Sequence, residues 1–177
     1  MLQAAGLAAG ELPELLNLTD PEGISAVHAA YVAAGSEAVT TNTFGANAHK
    51  LAGTGYEVKE VITAAVKAAR RAAASTDTAV SLAGTVAASA DTAVSSVGTV
   101  AASSADTVYV ALDVGPIGEL LEPYGTLTFE SAYEIFKEMI VAGDEAGADL
   151  IVFETMTDLY EVKAGVLAAK ENCELPV

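Results

Sequence analysis

Three short runs of aliphatic and β-branched residues, SEAVT at 36–40, TVYVALDV at 107–114 and ADLIVFE at 148–154, are separated by stretches whose apolar residues recur every three or four positions. Continuous apolar runs of this length read as strands buried on both faces. Alternating with amphipathic helices, they form parallel sheets through right-handed crossovers. The expected class is therefore α/β. With 177 residues, 52% hydrophobic content and mean hydropathy +0.41, the chain can bury one core of ordinary size.

The helical stretches carry their own punctuation. In DPEGISAVHAAYVAAG, Asp20 is placed to cap and Pro21 fits a first turn, with Ile24, Val27, His28 and Tyr31 on one face. From Glu57 to Arg71 the stripe runs Val58, Val61, Ile62, Ala65, Val66, Ala69. Thr128 caps a third helix to about Gly147, with Phe129, Ala132, Tyr133, Phe136, Met139 and Ile140 facing the core. Asp158 with Glu161 resembles a capping box that opens a fourth, with Leu159, Val162, Val166 and Ala169 inward to about Asn172. LPV then begins a further element.

One region breaks the alternation. DTAVSLAGTVAAS at 77–89 returns as DTAVSSVGTVAAS at 91–103, a 14-residue period. Two copies are too few for a solenoid, which needs about three repeats to share a core. Residues 75–106 are expected to be an insertion outside the core, as a flexible loop or a small β excursion, with a Thr/Val-rich hairpin as the alternative.

Charge excludes several partners. Asp and Glu number 24 against 8 Lys and Arg, a net charge of −16, which repels phosphate backbones and anionic lipid. No basic residue precedes Lys50 and no apolar run approaches membrane-spanning length, so no signal or membrane segment is expected and the expected compartment is the cytosol. The single cysteine, Cys173, excludes an internal disulfide.

In parallel β/α proteins ligands lie at the carboxyl ends of the strands. Those ends carry Asn42, Thr43 and Phe44, then Asp113 with Gly115 and Pro116, then Glu154, Thr155 and Asp158. Two carboxylates with neutral donors suit the amino group of a small zwitterion. Against this, Asn42 and Thr43 would equally satisfy backbone groups in a turn. Asp158 reads as a helix cap. His28 reads as a hydrogen-bonded core histidine, His49 has no visible partner, and Cys173 reads as structural. Glu154 ends the run LIVF, where an unpaired charge is costly, so ligation or a buried pair is expected.

Together, MLQAAGL, PEGISAVHAAYVAAGSEAVTTNTFGANAHKL, ALDVGPIGELLEPYGTL and GADLIVFETMTDLYEVKAGVLAAKENCELPV resemble the homocysteine S-methyltransferase family. This is the barrel domain of cobalamin-dependent methionine synthase and betaine-homocysteine methyltransferase. The resemblance implies a (β/α)8 TIM barrel in which zinc binds the homocysteine sulfur and presents a thiolate to a methyl donor, with cobalamin as a candidate methyl carrier. It places Glu154 at the family glutamate that holds the substrate amino group, with Asn42, Thr43, Phe44 and Asp113 lining the same mouth.

The family's first-strand loop of Asp-Gly-Ala-Met-Gly-Thr type and its zinc cysteines find no counterpart, and Cys173 matches none of them. The expectation is a partial barrel domain over 1–177. It would consist of strands two to four with their helices, lack the first strand and the carboxyl-terminal half, and be truncated and inactive. Its chief rival is a non-enzymatic acidic α/β protein that binds or self-associates through exposed sheet edges. A third reading, acid–base chemistry by Glu154 and Asp113, requires both carboxylates to face one cavity.

Overall fold

The computed structural model describes residues 2–5, 7, 10–86 and 107–177. After 3-10 turns at Leu2–Ala5 and Pro13–Leu15 come α1 (Leu16–Thr19), α2 (Pro21–Ala33), β1 (Ala38–Thr40), α3 (Ala48–Leu51) and α4 (Val58–Val86). β2 (Tyr109–Val114), α5 (Phe129–Ala146), β3 (Leu150–Phe153) and α6 (Leu159–Asn172) follow. The strands form one parallel sheet in the order β1-β2-β3. This α/β arrangement is consistent with part of a TIM-like barrel.

The caps act where the sequence places them. Asp20 accepts from Gly23 N at 3.0 Å and Thr128 from Ser131 N at 3.1 Å, each satisfying a donor that the first helical turn leaves open. In α4 the residues Val58, Val61, Ile62, Ala65, Val66 and Ala69 are all buried, and this helix packs between α2 and α5. It runs on to Val86, past the expected end at Arg71 and through most of the first repeat copy, so the expected loop or β excursion is helical over that stretch. The rest of the 75–106 segment lies outside the described residues.

Three faces differ from expectation. On α2 the buried stripe is Ile24, His28 and Val32, while Tyr31 is 52% exposed. β1 has only Val39 buried, because no strand lies along its outer side among the described residues. On α6 the buried residues are Glu161, Ala164, Gly165, Ala168 and Ala169, and Leu159 is exposed. The helix packs on α5, and Gly165 brings it against Phe153 of β3. A Cβ at Gly165 would stand 2.4 Å from the Phe153 ring, so only glycine lets the backbone pass there.

At the amino-terminal end of the strands, Arg70 of α4 donates to Gly147 O at 2.9 Å and to Asp149 Oδ1 at 2.5 Å. Asp149 Oδ2 accepts from Val110 N at 2.7 Å. Burial alone would push the Asp149 carboxyl up, yet the hydrogen bonds from Arg70 and Val110, with the guanidinium charge, hold it below its ordinary value. At the other side of the sheet, Pro176 O accepts from Ile151 N at 2.8 Å, so the LPV stretch lies along the outer edge of β3.

Candidate functional site

Parallel register fixes which side chains share a face. Asp113 stands opposite Val152 and Val114 opposite Phe153. Since Leu112, Val114, Ile151 and Phe153 lie on the face toward the helices, strand alternation puts Asp113 and Glu154 together on the other face, at the carboxyl ends of β2 and β3. The two carboxylates share a face of the sheet, but only Asp113 lines a cleft there, so the single cavity that acid–base chemistry by this pair requires is not formed among the described residues. Glu154 itself is exposed, with its backbone N donating to Val114 O at 3.1 Å. Of the ligation or buried pair expected for it, no buried pair forms among the described residues, because its side chain lies on the face away from the packed helices.

Asp113 is 8% exposed, and its Oδ1 has no hydrogen-bond partner. Burial, with the charges of Glu154 and Glu14 nearby, pushes its pKa up to about 7. The backbone around it is fully engaged. Thr43 Oγ1 donates to Asp113 O at 2.7 Å and lies 2.7 Å from Thr41 Oγ1, which accepts from Asp113 N at 3.2 Å. The Thr43 hydroxyl is thus committed to the fold. Asn42 donates to Pro13 O at 2.7 Å and to Asn17 Oδ1 at 3.0 Å, while Asn17 donates back to Asn42 O at 2.8 Å. This is the turn-satisfying role weighed from the sequence, carried out by residues distant in the chain.

Phe44 is half-buried with Lys50 Nζ 5.1 Å from its ring centroid. The Phe44 ring and carbonyl lie where a Cβ on Gly115 would come within 2.6 Å, which explains the glycine after β2. Beyond Glu154, Thr155 adopts φ 58°, a left-handed backbone rare for a β-branched residue.

An open cleft of about 360 Å³ lies beside β1, lined by Thr40, Asn42, Asp113 and, from α2, His28 and Tyr31. His28 is buried as expected and its pKa is lowered by that burial, but its Nε2 lacks the hydrogen bond assigned to it. His49, expected to be alone, has Nδ1 3.5 Å from Glu119 Oε2. Asp158 does cap α6, accepting from Tyr160 N at 2.7 Å. The capping box is not completed, since buried Glu161 turns to Ile117 N at 2.7 Å.

The sequence reading missed Glu14. It is 4% exposed, with Oε1 accepting from Gly45 N at 2.6 Å and Oε2 unpartnered. A lone charge inside LPELL was the available signal. As for metals, no group of three or more His, Cys, Asp or Glu among the described residues is placed to hold an ion. Cys173 Sγ instead lies 3.4 Å from Ala169 O.

Comparison with known proteins gives 29% identity over 157 residues to methionine synthase of Mycobacterium tuberculosis, covering 89% of this chain and 11% of that protein. The Mycobacterium leprae methionine synthase is 28% identical over the same length. The chain thus spans about a tenth of the length of these curated relatives. The oxidized form of the homocysteine methyltransferase MmuM from Escherichia coli superposes with TM-score 0.69 at 24% identity, covering 98% of this chain and 56% of that one. The metallated form gives the same score with 57% of its chain covered. At this identity the likeness is one of fold. Over residues 1–177 the sequence matches the family described as homocysteine S-methyltransferase, and the chain belongs to that family.

Proposed function

We propose that this chain supplies the part of a homocysteine S-methyltransferase barrel that holds the amino-acid end of homocysteine, with Glu154 receiving the substrate ammonium and Asp113 beside it. One observation carries the reading: the register brings both carboxylates to one face at the strand ends, with Asp113 on the wall of a cleft that Asn42 also lines. Thr43 and Phe44 shape its rim from within. In the same reading the sheet corresponds to strands two to four of the eight-stranded barrel, residues 75–106 are an insertion, and the protein works in the cytosol. The zinc implied by the family has no fitting ligand set among the described residues, so these side chains are assigned the ammonium end and nothing at the sulfur.

Calorimetric titration of homocysteine into the chain and into Glu154→Gln tests this. Loss of one charge-assisted hydrogen bond is expected to weaken binding by about 1.5–3 kcal/mol, with metal content unchanged. Equal affinity in both proteins removes Glu154 from the site.

A second reading, assembly without turnover, is favoured by β1, which among the described residues has a strand on one side only and leaves Ala38 and Thr40 exposed. Sedimentation at increasing concentration separates the two. Self-association blocked by Thr40→Pro, with no homocysteine bound, would select it.

A further inference from the structure

A buried carboxyl oxygen with no partner is costly, and Asp113 Oδ1 is one, in a side chain more than nine-tenths buried on the wall of the cleft beside β1. Among the described residues, the groups facing it offer no cationic partner at fixed charge. Glu154 lies beyond β3, Glu14 in the turn at Pro13–Leu15, and His28 and Tyr31 across the cleft on α2, while Lys50 of α3 is seated over the Phe44 ring. Three acids therefore converge where a positive charge is missing.

We propose that Asp113 is a second acidic contact for the ligand ammonium, beside Glu154, and that it becomes charged by releasing its proton to solvent as the ligand enters. This rests on the homocysteine reading above and adds the linkage to it. The physical reason is reciprocal. Asp113 is buried in the wall with the exposed Glu154 charge beside it, and both its burial and that neighbouring charge resist its ionisation, so it keeps its proton. A cation placed between the two carboxylates reverses that preference, and an ammonium that binds only the ionised form must bind more tightly where that form is populated. The site selects ligands carrying a free amino group. N-acylated or deaminated analogues, which bring no cation, gain nothing from Asp113.

The test is calorimetry of homocysteine binding to the 177-residue chain between pH 6 and pH 8, in buffers of differing ionisation enthalpy. With Asp113 titrating at about 7, its ionised fraction rises from about one tenth to about nine tenths across this range. Affinity is expected to rise up to about tenfold, with a proton released near pH 6. Methionine, which has the same ammonium and no ionisable thiol, should show the same slope. Asp113→Asn should bind with an affinity independent of pH. Glu154→Gln, a second variant in case the first does not fold, should move the midpoint of the Asp113 carboxyl signal in carbon-13 NMR to lower pH.

Homocysteine bound equally well at pH 6 and 8, or a slope retained in Asp113→Asn, overturns the proposal and leaves the homocysteine reading standing. Should homocysteine not bind at either pH, other α-amino acids decide. Binding of any with the same Asp113-dependent slope upholds the linkage while the homocysteine reading falls, and binding of none removes both.

Discussion

Asp149 and Asp113 are two acids at opposite ends of one three-stranded sheet, and they are treated in opposite ways. Asp149 has both oxygens engaged, one by Arg70 and one by Val110 N, and its carboxyl is held below the ordinary range. Asp113 has an orphaned oxygen, two acidic neighbours and a pKa near 7. The amino-terminal end of the sheet spends its polar groups on holding α4 to β2 and β3. The carboxyl-terminal end leaves polar groups unsatisfied, which is how a binding site differs from a structural joint.

The largest expected effect is at Asp113. Its folded-state pKa is raised above the unfolded value, so its charged form is disfavoured in the fold, and the penalty is present above about pH 7 and absent below the unfolded pKa. Asp113→Asn should therefore raise stability at pH 8 by on the order of 2–4 kcal/mol and change little at pH 4, measured by urea unfolding at both. A destabilised variant at pH 8 would mean that the orphaned oxygen has a partner in solution.

Asp149 has the reverse sign. Its folded pKa is depressed, so its contribution is present above the unfolded pKa and lost as pH falls through the folded one. Asp149→Ala should cost about 1–3 kcal/mol at pH 7, through loss of the acceptor for Val110 N and the counterion of Arg70. A variant within experimental error of the parent would break the contrast from this side.

The smallest effect sharpens the acidic end. Glu14→Gln keeps an oxygen for Gly45 N while removing one like charge, so the Asp113 midpoint should fall. The shift should be smaller than that caused by Glu154→Gln, because Glu154 is the stronger of the two neighbouring charges. Carbon-13 NMR of the carboxyl signal measures both, and a larger shift from Glu14→Gln would reverse their order.

The stripes of α4 and α5 were legible in the sequence because large apolar residues at helical spacing mark the packed face when a helix is docked by size. On α6 that rule holds only in part. Ala169 is buried and Val162 and Val166 are half-buried as expected, but the centre of the packed face is Ala164, Gly165 and Ala168, with Gly165 against Phe153 and Leu159 left outside, because small residues set the approach there. Asp113 and Glu154 could be picked out as charges ending apolar runs, yet their common face depends on the register of β2 against β3, which no single segment encodes. Glu14 and Asn17 were missed, and Glu161 was given a capping role instead of its own, because their partners, Gly45, Asn42 and Ile117, lie 25 to 44 residues away.

The bond from Thr43 to Asp113 O spans 70 positions of sequence, and it is the parallel pairing of β1 with β2 that makes so distant a closure necessary. Closing a long connection costs entropy that grows only with the logarithm of its length, so one more 14-residue copy within it adds just ~0.2 kcal/mol. The joint between the first two strands is thus nearly indifferent to how much chain lies between them. Duplication of a segment there escapes the thermodynamic selection that would remove the same event from the 35 residues joining Val114 to Leu150, where α5 must start at Thr128 and stop at Gly147 to return the chain in register.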